Sequence, residues 1–277
     1  MTFDPDELGR SKQDLAEKIR ELRKRAGLTG EGLARLCNVS QSKISKIETG
    51  KTTPSLTDVE CILRAVGAPV DMVREITALA RLASTEWQDK RSSWRRGIEK
   101  RQAELAALES SATRLRYFLP SMITGLLATP EYIRASLAHT PGDVSGTVAR
   151  KIERQAILYD EDKYFTFILC EQAVKWAMMP ARVMSVQVDR LISLSHLPNI
   201  QLGVIPYGTV ATRGPMNTFT VYDDRLATAE TFTGRMVFQD SRDVRQHLNL
   251  FALFEEVAVF GSAARDSLGE WASTYRE

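Results

Sequence analysis

Polar and cationic side chains cluster between positions 40 and 46, where the chain reads SQSKISK and Ile44 is the one apolar residue. Amide, hydroxyl and ammonium groups match the hydrogen-bond donors and acceptors that base edges present in the major groove of DNA. We therefore predict base contacts from Gln41, Ser42 and Lys46. A solvated surface helix with ordinary polar residues is the alternative.

Further hydroxyl and ammonium groups in and around this stretch are predicted to hold phosphates: Thr29, Ser40, Lys43, Ser45, Lys51 and Thr52. Residues 10–51 carry eleven Lys and Arg against five Asp and Glu, a local excess of six cations. Such an excess favours phosphate binding through the release of counterions. Arg20, Arg23, Lys24 and Arg25 are available for the same role, or simply for solubility.

Two short helices must position these side chains. Apolar residues repeat along one face of each: Leu33, Ala34 and Leu36 in the first, and Val39, Ile44 and Ile47 in the second. Ser40 is predicted to be the N-cap of the second helix, and Gly50 the left-handed residue that ends it. Because two such helices bury little apolar surface alone, they must pack on each other and on flanking helices.

The flanking sequence supplies three more apolar stripes, which begin at Leu15, Val59 and Val73. We therefore predict an all-α DNA-binding domain of five helices over residues 1–82. Residues 83–116 are predicted to form a helical linker, with Trp87 and Trp94 on one face.

Residues 117–277 are predicted to form a larger α+β domain with a mixed sheet. Runs rich in aromatic and β-branched residues predict its strands: Tyr164–Leu169, Ile200–Ile205, Thr218–Tyr222 and a hairpin within Leu226–Phe238. Helical patterns lie between and after these runs, which is typical of an α+β architecture.

Catalytic and metal-binding patterns are missing from the sequence. It contains no GxxxxGK[ST], GxGxxG or HExxH motif, and its three histidines and three cysteines lack ligand spacing. We expect no enzyme activity, no metal and no cofactor. Glu171 directly follows an apolar strand, so it is either a buried hydrogen-bonding carboxylate or, with Trp176, part of a partner or ligand site.

The stretch LTGEGLARLCNVSQSKISKIETGK closely resembles the xenobiotic-response-element family of regulators, which includes the phage repressors. The resemblance implies a lambda-repressor-like fold and assigns Gln41 to an adenine. Gly30 and Gly32 depart from the longer polar residues of many members, so one phosphate clamp is expected to be missing.

The second half resembles the C-terminal domain of actinobacterial, antitoxin-like regulators in five segments: GLLATPEY, KIERQAIL, FILCEQAV, PNIQLGVIP and GPMNTFTV. The resemblance implies that this domain receives a small protein encoded by an adjacent gene, or another signal.

These patterns predict a cytoplasmic, nucleoid-associated transcriptional regulator. No run approaches the roughly 18 apolar residues of a membrane span. A single reading helix contacts few base pairs, so we expect a homodimeric repressor on a palindromic operator. An antitoxin that holds a small toxin and autoregulates its operon is the alternative, followed by a metabolite-responsive regulator.

Overall fold

The computed structural model describes residues 5–89, 98–231 and 234–276. These residues divide into two compact units, with the division after Trp87, and the short segment Met236–Asp240 groups with the first unit. Trp94 lies outside the described residues, and of Trp87 only the backbone is described.

The N-terminal unit contains five helices among its described residues: α1 (Pro5–Arg25), α2 (Gly30–Leu36), α3 (Gln41–Glu48), α4 (Leu56–Ala65) and α5 (Val70–Ser84). This confirms the predicted all-α architecture. At seven and eight residues, α2 and α3 are shorter than a helix that is stable alone in water. They therefore depend on packing against the other three helices.

Apolar side chains from all five helices form the core of the unit. Ile19, Leu33, Ile44, Ile47 and Val59 are each no more than 1% exposed. Full burial of one such side chain contributes about 1.5–3 kcal/mol relative to leaving it in water. The core thus fixes which face of α3 turns inward.

The C-terminal unit contains seven further helices in the described residues: α6 (Ile98–Ser111), α7 (Pro130–Ser136), α8 (Ser145–Glu153), α9 (Glu171–Lys175), α10 (Ala181–Leu194), α11 (Ser241–Glu255) and α12 (Gly261–Ser273). A 3-10 helix, Arg154–Tyr159, continues α8. Its strands are β2 (Arg114–Leu119), β3 (Tyr164–Cys170), β4 (Ile200–Ile205), β5 (Phe219–Tyr222) and β6 (Leu226–Glu230). Strand β7 (Gly234–Phe238) begins in this unit, and its residues from Met236 onward group with the first. A short strand, β1 (Thr85–Asp89), precedes them.

Strands β2 to β7 lie in the order β7-β6-β5-β2-β3-β4. Strand β3 runs parallel to both β2 and β4, whereas β5 is antiparallel to β2, with Phe219 opposite Phe118. The sheet is therefore mixed, as the sequence predicted. The carboxyl ends of β2, β3 and β4 and the amino end of β5 meet at one edge, which we call the carboxyl edge.

The chain departs from the predicted helical linker, residues 83–116, at two places. Residues 85–89 form β1, and the helix predicted to continue through Leu115 ends at Ser111, before the central strand β2. Apolar residues at positions 108, 112 and 115 have helical spacing. However, Leu115, Tyr117 and Phe118 are all nearly inaccessible, because a central strand buries both of its faces.

Aromatic rings pack on both faces of this strand. The rings of Tyr117 and Phe167 stack with centroids 4.9 Å apart, and those of Phe118 and Phe254 with centroids 3.9 Å apart. Since neighbouring residues of a strand point to opposite faces, these two contacts lie on opposite sides of the sheet. Helix α11, which contains Phe254, covers the Phe118 side. No helix among the described residues has the length and apolarity needed to cross a membrane.

Candidate nucleic-acid interface

Hydrogen bonds at both ends define α3. The Ser40 hydroxyl accepts a hydrogen bond from the backbone N–H of Lys43 at 3.2 Å, as predicted for an N-cap. After the helix, Gly50 adopts a φ of 68°, the left-handed conformation that a glycine tolerates. The sequence therefore placed the ends of α3 correctly.

The outward face of α3 consists of Gln41, Ser42, Ser45 and Lys46, all exposed. Their spacing puts them on one side of the helix, opposite Ile44 and Ile47, which are each 1% exposed. An amide, two hydroxyls and an ammonium group thus lie together on a rigid element. This arrangement can donate and accept hydrogen bonds with base edges and phosphates.

A bidentate ion pair joins the last turn of α1 to the last residue of α3. Nε and one Nη atom of Arg23 donate to the two carboxylate oxygens of Glu48 at 2.5 and 2.9 Å, and Arg23 also donates to the carbonyl of Leu28 at 2.7 Å. The hydrogen bond with Glu48 raises the pKa of Arg23. Arg23 therefore serves to position α3. The sequence suggested that Arg23 is free to contact phosphates or solvent, and the structure shows instead that its side chain is engaged with Glu48 and Leu28.

A second ion pair links the first turn of α3 to α4. The Lys43 ammonium group donates to Asp58 at 2.8 Å, and Asp58 also accepts from the backbone N–H of Ser55 at 3.1 Å in a capping box. Burial opposes ionisation of Asp58, but the hydrogen bonds from Lys43 and Ser55 outweigh it and lower the pKa of this carboxyl. The charge of Lys43, a predicted phosphate contact, is thus already paired.

The segment after α3 folds back on the helix and presents two more predicted phosphate contacts. The backbone N–H of Thr52 donates to the carbonyl of Lys46 at 3.1 Å, which places Lys51 and Thr52 beside the end of α3. Both side chains are exposed. Their ammonium and hydroxyl groups can donate hydrogen bonds to a phosphate.

Thr29 is held at the start of α2. Its hydroxyl oxygen accepts a hydrogen bond from the backbone N–H of Gly32 at 3.0 Å, so Thr29 is an N-cap whose O–H can still donate to a phosphate. A Cβ atom at Gly32 would lie 3.2 Å from that oxygen, whereas Gly30 has no neighbour within 4 Å. The close contact with the Thr29 hydroxyl explains why position 32 holds a glycine. Nothing in the structure explains the glycine at position 30.

Eight cations of this unit are exposed and make no ion pair with any residue that the structure describes. They are Arg20, Lys24, Arg25, Arg35, Lys46, Lys51, Arg64 and Arg74. Three other cations, Lys18, Arg23 and Lys43, pair with carboxylates. Of the unpaired cations, Lys46 and Lys51 lie on and just after α3, where their ammonium groups can attract a polyanion.

The second predicted site lies in the C-terminal unit, at the carboxyl edge. The Glu171 carboxylate accepts hydrogen bonds from the backbone N–H of Tyr207 at 2.8 Å and from the ammonium group of Lys175 at 2.6 Å. Burial acts to raise the pKa of Glu171, but the hydrogen bonds from Lys175 and Tyr207 outweigh burial, and the pKa is lowered. Trp176, by contrast, is 60% exposed. Glu171 is thus a hydrogen-bonded structural carboxylate, whereas the Trp176 side chain is accessible to a partner. The structure adds Tyr207 to this site, a residue that the sequence did not single out.

The cysteines are free thiols. Burial, with a hydrogen bond to Cys61, raises the pKa of Cys37 to about 12, so this thiol stays protonated and unreactive at neutral pH. Within the described ranges, His, Cys, Asp and Glu side chains form no group of three or more that could hold a metal ion.

Two known families match the chain, one in its N-terminal part and one in its C-terminal part. Residues 14–76 match the family described as a helix-turn-helix domain, and residues 102–270 match a family described as a domain of unknown function, DUF5753. No curated protein matches the chain.

Among solved structures, the chain is similar to TrmBL2, an archaeal chromatin protein whose structure is described as showing a novel mode of DNA binding. The identity is 12%, the match covers 84% of this chain and 87% of that one, and the TM-score is 0.34. At this TM-score the two folds differ too much for a site to be transferred.

Proposed function

We propose that this chain, which belongs to the DUF5753 family and carries a helix-turn-helix domain at its N terminus, is a sequence-specific transcriptional regulator. The observation that carries the proposal is the outward face of α3. Its four exposed polar side chains lie on a helix that is capped and held by ion pairs at both ends. A rigid polar helix face of this kind suits the major groove.

The contacts are proposed to divide between bases and phosphates. Gln41, Ser42 and Lys46 read bases, whereas Thr29, Ser40, Ser45, Lys51 and Thr52 hold phosphates. Phosphate contacts fix the register of the protein on the duplex, and base contacts select the sequence. Lys43 contributes mainly through Asp58, because that carboxylate already neutralises it.

The regulator acts as a homodimer, a repressor of the xenobiotic-response-element type. One helix contacts too few base pairs for selective binding, and each good contact contributes roughly 1–3 kcal/mol. Two copies on a palindromic operator double the length of the sequence that is read. The protein works by binding rather than by catalysis, and it works where the chromosome lies, in the cytoplasm.

Recovery and sequencing of the genomic fragments that the purified chain binds tests this proposal. The expected result is an inverted repeat with half-sites about one helical turn apart. A motif without internal symmetry would contradict the dimer. Fragments without any common motif would contradict sequence-specific binding.

The C-terminal domain is proposed to receive a small partner protein or ligand that controls DNA binding. An antitoxin-like role, in which the chain holds a small toxin and regulates its own operon, is the second candidate. The exposed Trp176 favours both over a domain that only supports the fold. Co-purification with the product of an adjacent small gene favours the antitoxin-like role, whereas a ligand-dependent melting shift favours a metabolite.

A further inference from the structure

Four of the five segments that resemble the C-terminal domain of antitoxin-like regulators meet at the carboxyl edge of the sheet. GLLATPEY follows β2, FILCEQAV spans the end of β3, PNIQLGVIP ends β4, and GPMNTFTV begins β5. In the chain they are far apart, but the parallel pairing of β2, β3 and β4 and the antiparallel pairing of β5 bring them together. In open sheets of this kind, ligands bind beyond the carboxyl ends of the strands.

Large apolar side chains are exposed along this edge. The carboxyl-edge surface comprises Met122, Trp176, Tyr207, Val210 and Met216, which are 38%, 60%, 63%, 92% and 93% exposed. Met122 follows β2, Trp176 follows β3, and the other three lie in the loop from β4 to β5. Single exposed apolar residues are ordinary, but the strand pairing brings the segments that carry these five to one edge of the sheet, and a group of exposed apolar residues there indicates an interaction site.

Gln172 contacts both aromatic residues of this surface, Tyr207 through its side chain and Trp176 through its backbone. The Tyr207 hydroxyl hydrogen-bonds the side-chain oxygen of Gln172, and the backbone N–H of Trp176 donates to the Gln172 carbonyl at 3.0 Å. The backbone of Tyr207 is fixed in turn by Glu171. The Tyr207 side chain, fixed at its hydroxyl and at its backbone, therefore loses little conformational entropy on binding.

Two buried glutamines order the neighbouring segment after β2. The Gln155 amide donates to the carbonyls of Gly125 and Ala128 at 2.7 and 2.8 Å. The Gln187 amide oxygen accepts from the backbone N–H of Thr129 at 2.6 Å. Buried hydrogen bonds from Gln155 and Gln187 thus order the segment from Gly125 to Thr129, which follows Met122.

The charges around the surface are unbalanced. Of the acidic residues in the segments 120–131, 171–182 and 206–218, Glu131 pairs with Arg134 and Glu171 pairs with Lys175. Arg182 and Arg213 are exposed and make no ion pair with any residue in the described part of the chain. The edge therefore complements an acidic partner.

We propose that the carboxyl-edge surface docks a partner protein through a segment whose apolar side chains are flanked by carboxylates. Trp176 and Tyr207 would anchor the apolar side chains, and Arg182 and Arg213 would face the carboxylates. The inference rests on the proposed function in one respect, that the C-terminal domain receives a controlling partner.

Selection of a phage-displayed library of random peptides on the full-length chain tests the proposal. Enriched peptides are expected to combine Leu, Phe or Trp with Asp or Glu. A synthetic peptide of that sequence is expected to bind roughly 30-fold more weakly to Trp176→Ala or Tyr207→Ala, the loss typical of an anchor residue. Arg213→Glu should weaken binding as well.

Matched controls come from the opposite edge of the sheet. Tyr159 and Tyr164 lie just before and at the start of β3 and are 63% and 57% exposed, close to the values of Tyr207 and Trp176. Tyr159→Ala and Tyr164→Ala should therefore leave peptide binding unchanged. Equal losses in both pairs of variants, or enrichment of no acidic apolar motif, would overturn the proposal.

Two further measurements separate the remaining outcomes. If the wild-type chain sediments as a dimer and Trp176→Ala as a monomer, the surface binds a second copy and the proposal is wrong. Operator binding is expected to persist in Trp176→Ala. If the wild type binds the peptide but binds no DNA, the proposed function is wrong and the docking surface stands. If the wild type binds DNA but no peptide is selected, the docking surface is wrong and the proposed function stands.

Discussion

Arg23 and Glu48 lie 25 positions apart in the sequence, yet their side chains meet in a two-pronged ion pair with only 14% and 9% of their side-chain surfaces exposed. The pair fixes the end of α3 to α1. Lys43 and Asp58 fix the beginning of α3 to α4. The two ion pairs thereby hold the exposed face of α3 in a fixed orientation relative to α1 and α4. Contact with base edges requires such a fixed orientation.

Arg23→Met should destabilise the N-terminal unit, because it leaves the Glu48 carboxylate nearly buried without its partner. The expected loss is about 3 kcal/mol. Hydrogen exchange of the α1 to α5 amides measures this loss without interference from the C-terminal unit.

Lys18→Met is the control for Arg23→Met. Lys18 also pairs with a carboxylate, that of Glu75, but these side chains are 43% and 59% exposed. Exposed pairs contribute less than about 1 kcal/mol. Equal losses in the two variants would show that the Arg23–Glu48 pair has no special role.

Lys51→Ala should flatten the salt dependence of operator binding. Each lost phosphate contact changes the slope of log K against log salt by about 0.9 on duplex DNA. Lys43→Ala should change the slope much less, because Asp58 already neutralises Lys43. Affinity titrations over a series of salt concentrations measure both slopes, and a larger change for Lys43→Ala would contradict the assignment.

The capping carboxylate predicts a dependence of stability on pH. The folded-state pKa of Asp58 is lowered: burial opposes the shift, and the hydrogen bonds from Lys43 and Ser55 outweigh it. Its stabilising contribution is therefore complete above the unfolded pKa and is lost as pH falls through the folded one, below about pH 4. The stability difference between wild type and Asp58→Asn should narrow there. A difference that stays constant with pH would refute this account.

Gln187→Leu should destabilise the C-terminal unit. Gln187 is completely buried, and its amide bonds the backbone N–H of Thr129 and, at 3.0 Å, the carbonyl of Leu127. Leaving these groups without partners costs about 1–3 kcal/mol. Val186→Ala at the neighbouring, 57% exposed position should cost less than about 0.5 kcal/mol. Chemical denaturation of both variants checks the difference.

The parts of the fold that depend on local rules could be predicted from the sequence. Ser40 and Gly50 mark the ends of α3 because a hydroxyl N-cap and a left-handed glycine act within one turn. The apolar positions Ile44 and Ile47 likewise determine which face of α3 turns inward.

Features that depend on distant partners could not be predicted in the same way. Arg23 looks like an ordinary surface cation until packing brings Glu48 beside it. Strand β2 was missed because Leu115 continues the helical spacing of Leu108 and Ala112, although Arg114 and Arg116 alternate with Leu115 and Tyr117. Tyr207 joins the carboxyl edge only through the pairing of β3 with β4.

The most direct test of DNA reading by α3 compares Gln41→Ala with wild type on the preferred duplex and on variants that change one base pair at a time. Wild type should prefer its operator over random duplex about 1,000-fold or more. Gln41→Ala should lose discrimination at one position in each half-site and keep it elsewhere. If the variant loses affinity equally on every duplex, or if the wild type shows no preference for any sequence, then the outward face of α3 does not read DNA.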